Sequence, residues 1–135
     1  MNDDGSLTVF LAVVAFSLFM LVGLVVDGGR ALTAREAAWC AAQEAARAGA
    51  GQLVVQDLRS GSIVVDPGAA QVAAEEYLAD RGFQGAVNVV VADGVVTVDV
   101  SSSEPTAILG LIGIDRIAVG ASASAIDVHG VTRED

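Results

Sequence analysis

The sequence predicts an α+β fold: a long N-terminal membrane-spanning helix that continues into a small domain with a second helix and an antiparallel sheet of about three strands. Three observations lead to this prediction. Residues 7–26 carry no charge, residues 30–49 are rich in alanine, and three later runs alternate apolar with polar or small residues. Helices repeat every 3.6 residues and strands every second residue, so these patterns distinguish the two kinds of element.

The predicted organisation has five segments, and the length of 135 residues suits one small domain beside a membrane helix. In chain order they are a short leader-like segment (residues 1–6), a transmembrane helix (7–26), an alanine-rich helix continuing from the membrane (27–50), a small α/β domain (51–127) and a flexible tail (128–135).

The apolar run Leu7–Val26 has the length that a bilayer requires. A helix rises about 1.5 Å per residue, so these residues span roughly 30 Å, the thickness of the hydrocarbon core. A cleaved secretory signal has a shorter apolar core of about 7–15 residues behind a positive segment. Here the preceding residues 1–4 include two acids and no base, which favours a retained anchor.

The junction after the span consists of Asp27, Gly28, Gly29 and Arg30. Two adjacent glycines lower helix stability and permit a bend. Asp27 and Arg30 are three residues apart and can pair on one helix face. A carboxylate at the edge of a span is predicted to be hydrated or paired, and the alternative is a functional carboxylate within the membrane.

An alanine seam follows the junction along one face of the helix. Its residues follow 3-4-3-4-3 spacing, which allows a second backbone to approach closely. The alternative is that alanine is simply abundant here. The partner of the seam would be the chain's own sheet or another subunit's helix. The seam consists of Ala31, Ala34, Ala38, Ala41, Ala45 and Ala48.

The second helix is predicted to begin at Asp66-Pro67, a cap followed by proline, and to reach about Arg81, with Gly82 as its stop. The preceding residues 52–65 read as loop or short strand. Two strands, 87–92 and 95–100, flank Asp93-Gly94, the strongest short hairpin signal in the chain.

The last predicted elements lie after the hairpin. Glu104-Pro105 opens a short helix or turn through Leu109, and alternation from Ile117 predicts a third strand. Between them, the apolar, glycine-broken segment Ile108–Ile114 is too short to span a bilayer. It is predicted to contact another subunit, to touch the membrane, or to cover one end of the sheet.

Composition excludes several classes of function. The net charge is −10, with seven arginines and no lysine, so no basic patch drives nucleic-acid binding. Cys40, the only cysteine, forms no intrachain disulfide and is predicted to be a small buried side chain. His129 is the only histidine, and no second His or Cys stands at metal-ligand spacing. The sequence therefore nominates no catalytic residue, cofactor, metal or small-molecule substrate.

Several pieces, in order along the chain, resemble the TadE/TadG-like proteins of tight-adherence (Flp) pilus systems. Those proteins have a small-residue start, a membrane span, an Asp-x-Gly-Arg junction and an alanine-rich helix ending in Ala-Gly. The matching pieces here are Gly5-Ser6-Leu7-Thr8-Val9, Val26-Asp27-Gly28-Gly29-Arg30, Arg35-Glu36-Ala37-Ala38, the stretch from Ala41 to Gly49, and later Pro105-Thr106 and Ile117-Ala118-Val119.

The resemblance implies a pilin-like minor pilin or pseudopilin in secretion or cell adhesion, whose partners are membrane lipid, other pilin-like subunits and pilus-assembly machinery. It places the soluble domain outside the cell membrane. Arg30 and Arg35 follow the span and nothing basic precedes it, so the positive-inside rule alone predicts the opposite orientation. A different class of function is a membrane-tethered extracytoplasmic binding module that enters no filament.

One position departs from the TadE-type pattern. Those pseudopilins carry a glutamate at the fifth position after the processing glycine, and counting from Gly5 places Phe10 there. The sequence therefore favours the TadG-like variant or an unprocessed anchor over cleavage at the candidate processing site between Gly5 and Ser6.

Overall fold

A computed structural model describes residues 4–54 and 64–126 of the chain. Residues 55–63 and the predicted tail from 128 lie outside the described residues, as do residues 1–3 of the leader-like segment. The elements in chain order are helix α1 (Asp4–Ala50), helix α2 (Pro67–Asp80), strand β1 (Ala86–Ala92), strand β2 (Val95–Pro105), a 3₁₀ helix (Leu109–Ile112) and strand β3 (Arg116–Ile126). The α+β layout predicted from the sequence is confirmed.

Helix α1 runs through the predicted membrane segment and the alanine-rich segment without interruption. Gly28 and Gly29 lie inside it, in helical conformation. Two hydroxyls bond carbonyls four residues back: Ser17 to Val13 at 2.8 Å and Thr33 to Gly29 at 3.2 Å. These bonds satisfy the hydroxyls locally, so neither side chain needs an external partner.

Helix α2 begins as its sequence signal predicts. The Asp66 carboxylate accepts hydrogen bonds from the N–H groups of Gly68 (2.9 Å) and Ala69 (3.0 Å), and Pro67 occupies the first turn. These bonds satisfy two of the free N–H groups that every helix start presents. Gly82 follows the helix with a φ of +71°, a left-handed conformation that favours glycine at a helix stop.

The sheet is a three-stranded antiparallel meander in the order β1-β2-β3. Strands β1 and β2 pair from Ala86 opposite Ser101 to Ala92 opposite Val95. The two-residue turn has φ of +51° at Asp93 and +77° at Gly94. Both central residues therefore adopt the left-handed conformation that tight hairpins require, which is why Asp-Gly was a strong signal.

The alternation of the strands is also as predicted. In β2 the inward residues Val96, Val98 and Val100 are buried, whereas the opposite face is half-buried or exposed. In β3, Val119 and Ala123 are buried on one face. One face of the sheet thus packs inward and the other is solvated, as is common for antiparallel sheets.

Two predictions are wrong. A short helix or turn was expected to open at Glu104-Pro105, but β2 extends to Pro105 and the 3₁₀ helix begins only at Leu109. Cys40 was expected to be buried, but it is exposed on α1. The residues at positions 38, 42 and 45 of the helix are buried instead, so Cys40 lies outside the buried face of α1.

The chain forms two compact units. The first comprises α1 up to Ala34 together with Ser103–Ala118, and the second comprises Arg35–Ser102 with the chain from Val119 onward. The core of the second unit consists almost entirely of alanine and valine, with one leucine: Ala38, Ala42, Ala45, Ala46, Ala50, Val65, Ala70, Ala74, Leu78, Val96, Val98, Val100, Val119 and Ala123.

The small side chains of that core bring backbones close together. A Cβ placed on Gly49 of α1 would lie 2.9 Å from the Ala70 carbonyl oxygen of α2 and 3.0 Å from Val96 Cγ1 of β2. Glycine is therefore required sterically where α1 meets α2 and β2, because any larger residue would force these elements apart.

Candidate functional site

The feature that sets the first unit apart is a buried carboxylate, Asp27, which is 2% exposed. Its Oδ1 accepts a hydrogen bond from the Ala107 N–H at 2.7 Å. Its Oδ2 accepts one from the Ile108 N–H at 2.9 Å and one from the Leu109 N–H at 2.8 Å. An ionised carboxylate only accepts hydrogen bonds, so three N–H donors match its chemistry.

The three donors are consecutive because they belong to the start of the 3₁₀ helix, Leu109–Ile112. The first turn of a helix presents N–H groups that have no partner within the helix. Ile108 occupies the cap position and its own side chain forms no capping bond. Asp27, about 80 residues earlier in the chain, supplies the acceptor that a local Ser or Asp would normally provide.

The rest of this loop is closed by its own backbone. The Thr106 N–H donates to the Asp115 carbonyl at 3.0 Å, and the Ile114 N–H donates to the Leu109 carbonyl at 3.1 Å. The Thr106 hydroxyl donates to the Ile114 carbonyl at 2.5 Å. We call residues Thr106–Asp115 the capped loop, because Asp27 caps it from one side and these bonds join its two ends.

Gly23, one helical turn before Asp27, allows the capped loop to reach the helix. A Cβ on Gly23 would lie 2.6 Å from Ile108 Cγ2 and 3.1 Å from Ile108 Cβ. Real Cβ atoms do not approach this closely, so the contact requires glycine. Gly23 and Asp27 are four residues apart on one face of α1, where the first admits the Ile108 side chain and the second binds its backbone.

The four predicted junction residues lie in different environments. Asp27 is buried, Gly28 is half-buried, and Gly29 and Arg30 are exposed. The predicted ion pair between Asp27 and Arg30 is not formed: among residues 4–54 and 64–126, the one ion pair joins Arg47 to Glu44 at 2.7 Å. The Asp27 carboxylate is instead occupied by backbone donors.

The alanine seam lies partly within the core. Ala38 and Ala45 are buried, whereas Ala31, Ala34, Ala41 and Ala48 are half-buried. The buried face of α1 in the second unit also includes Ala42, Ala46 and Gly49, one position away from the predicted stripe. A partner for the half-buried members of the seam remains a prediction.

The candidate processing site falls at the start of α1. Gly5 and Ser6 are helical, and their side chains lie outside the described part of the chain. His129 also lies outside it. Over the described ranges, no group of three His, Cys, Asp or Glu side chains is arranged to hold a metal ion.

Sequence reasoning missed the partner of Asp27, and with it the role of Gly23. Two signals were available: an acid directly after an uncharged span, and a distant apolar loop whose N–H groups have no obvious local cap. Neither signal identifies the other segment, because a hydrogen bond between positions 27 and 108 leaves no periodic trace in the sequence.

Comparison with known proteins bears on the same part of the chain. Residues 5–52 match the family described as "Tad: Putative Flp pilus-assembly TadE/G-like". Comparison with curated proteins and with solved structures gave no match. The matched region contains the apolar segment, Gly23, the junction and the alanine seam. The TadE/TadG-like resemblance is therefore confirmed over residues 5–52, and this match supports a role related to pilus assembly.

Proposed function

We propose that this protein is a membrane-anchored minor pilin or pseudopilin that assists assembly of a tight-adherence (Flp) pilus or a related secretion filament. One observation carries the proposal: the region matching the family is almost entirely one helix, and the first half of this helix exposes apolar side chains that the rest of the protein does not cover. Helix α1 contains a stretch long and apolar enough to cross a membrane, with 6% of that stretch buried inside the protein.

The exposure of this stretch argues against a core helix of a soluble domain. Large apolar side chains on all sides of it face outward, including Val9 at 65%, Phe16 at 59% and Val25 at 74%. A helix that is apolar all round requires an apolar surrounding, and a bilayer supplies one. Length and composition therefore favour membrane lipid as the first partner.

The anchor predicts retention in the membrane fraction. We expect the full chain to stay in the pellet after alkaline carbonate washing of host membranes, and a variant with Phe16→Arg and Phe19→Arg to lose that retention. Each arginine near the middle of a span costs about 2.5–3.5 kcal/mol of insertion free energy. Recovery of the wild-type chain in the supernatant would refute the anchor. Val72→Arg, at an exposed position of α2, is the matched control.

The proposed orientation places the domain after α1 outside the cytoplasm. Cys40 reports on it, because it is the only cysteine in the sequence and is exposed. We expect a membrane-impermeant maleimide to label Cys40 in intact spheroplasts and to leave a Cys40→Ser variant unlabelled. Labelling only after lysis would instead support the cytoplasmic orientation that Arg30 and Arg35 favour.

The alanine seam is the proposed contact with other pilin-like subunits, and the structure refines its test. Ala38 is buried in the core, so Ala38→Leu would disturb folding. Ala41 is half-buried and Ala37 is exposed on the same helix. We expect Ala41→Leu to abolish surface pili without lowering the amount of folded protein, and Ala37→Leu to preserve them; electron microscopy and immunoblots measure both.

The alternative function, a tethered binding module outside any filament, predicts a different result. Pili would then persist in the Ala41→Leu variant at the wild-type level. N-terminal sequencing of the mature chain completes the description of the anchor, because a chain beginning at Ser6 requires cleavage after Gly5, whereas an intact start is that of an unprocessed anchor.

A further inference from the structure

The capped loop carries apolar side chains that nothing in its own unit covers. Leu111 is 74% exposed, Ile112 47% and Ile114 46%. Residues Ala107–Ile114 contain no charge and, apart from two glycines, consist of alanine, leucine and isoleucine. Contiguous exposed apolar residues on one short loop mark a contact surface.

The position of the loop along α1 identifies the partner. Ile108 packs against Gly23, which lies three residues, or about 4.5 Å along the axis, before the end of the span at Val26. Asp27, the first residue after the span, binds Ala107, Ile108 and Leu109. The start of the 3₁₀ helix therefore lies beside the last turn of the apolar segment.

The backbone of the loop is also suited to an apolar surrounding. In a bilayer an N–H group without a partner is costly, because no water replaces the missing acceptor. Seven residues of the loop donate their N–H groups to acceptors within the first unit: Thr106, Ala107, Ile108, Leu109, Leu111, Gly113 and Ile114.

Asp27 and the capped loop satisfy one another's hydrogen-bonding groups. A carboxylate at the edge of the hydrocarbon is expensive unless it is paired, and so are the free N–H groups of a helix start. Their three hydrogen bonds satisfy both. Charged residues return only where the loop ends, at Asp115 and Arg116, and Arg116 donates to Ser103.

From these observations we infer that the capped loop is a second membrane contact, in which Leu111, Ile112 and Ile114 insert into the interfacial region of the bilayer beside the end of the α1 span. The occupant of this apolar surface is lipid. The inference rests on the proposed membrane anchor, because Gly23 and Asp27 locate the loop relative to the span. Short apolar surfaces held at the headgroup level bind in this manner.

Site-specific fluorescence in vesicles tests the inference. The full chain, with Cys40→Ser to remove the native thiol, carries a single environment-sensitive label at Leu111→Cys. It is reconstituted in phosphatidylcholine–phosphatidylglycerol vesicles with or without spin-labelled lipid. We expect blue-shifted emission at position 111 and quenching that is stronger with a spin label near the headgroup than with one deep in the acyl chain.

Two further positions serve as controls. Phe16→Cys, at the middle of the span, reports on the anchor and should be quenched more by the deep spin label. Ala118→Cys is exposed in the same unit, beyond Asp115 and Arg116, and should show water-like emission with little quenching.

The outcomes separate the inference from the function on which it rests. Quenching at position 16 but not at 111 overturns the membrane contact of the loop and leaves the anchor in place. No quenching at position 16 overturns the anchor itself and, with it, this inference. Disulfide crosslinking between copies at position 111, without lipid quenching there, shows that the surface binds a second subunit and likewise overturns the lipid contact.

Discussion

We expect the replacement of Asp27 by alanine to lower the melting temperature of the detergent-solubilised chain by on the order of 10 °C, the largest effect expected of any single polar substitution. The reason is that three N–H groups, those of Ala107, Ile108 and Leu109, lose their acceptor together. Buried donors without a partner retain the full cost of desolvation. Circular dichroism during heating measures the shift.

Asp27→Asn tests whether the loss is specific to the carboxylate. The amide keeps the size of the side chain but replaces one acceptor oxygen with an NH₂ group, which faces backbone donors. We therefore expect Asn to be nearly as harmful as alanine. Asp80→Asn, at an exposed carboxylate at the end of α2, is the control and should be close to neutral. Equal melting temperatures for Asp27→Asn and wild type would contradict the capping role.

The second large effect is that two Gly→Ala substitutions in the same helix are expected to change the free energy of unfolding in opposite directions. We expect Gly49→Ala to destabilise the fold by about 1–3 kcal/mol, because the new Cβ meets the Ala70 carbonyl oxygen and a Val96 methyl. We expect Gly29→Ala to stabilise it by about 1 kcal/mol, because nothing lies within 4 Å of the added Cβ and alanine is the better helix former. Free energies of unfolding from denaturant titration measure both.

Each of the two variants is the control for the other, since both add one methyl group to α1. If both substitutions stabilise the chain, then the last turn of α1 does not pack against α2 and β2 as closely as described. If both destabilise it, Gly29 has a role that the first unit does not reveal, such as the bend that the adjacent glycines were predicted to permit.

The sequence predicted most of the secondary structure because local chemistry determines it. Asp93-Gly94 defined the hairpin, since few other residue pairs adopt two left-handed conformations in succession. Asp66-Pro67 defined the start of α2 for an equally local reason. The short helix near Glu104 was misplaced because β-ladder pairing extended β2 to Pro105, and such pairing depends on a neighbouring strand rather than on local propensity.

The burial of particular side chains was less predictable. The seam spacing identified a helix with many methyl groups on one side but did not give the angle at which the core would meet it. Ala38 and Ala45 are buried while Ala41 is only half-buried, and Cys40 faces outward. In a segment as rich in alanine as residues 30–49, periodicity barely distinguishes one face of the helix from the next, so its orientation is decided by α2 and the sheet.

The amino-acid sequence by itself determined the uncharged helix, the hairpin, the three alternating strands and the likeness to pilus-assembly proteins, because each depends on neighbouring residues or a fixed period. Only the tertiary structure decided that Asp27 binds the N–H groups of a loop about 80 residues away and that Gly23 admits Ile108. The physical reason is that such contacts arise when distant segments satisfy one another's buried polar groups. Contacts of this kind correspond to no repeating pattern in the sequence.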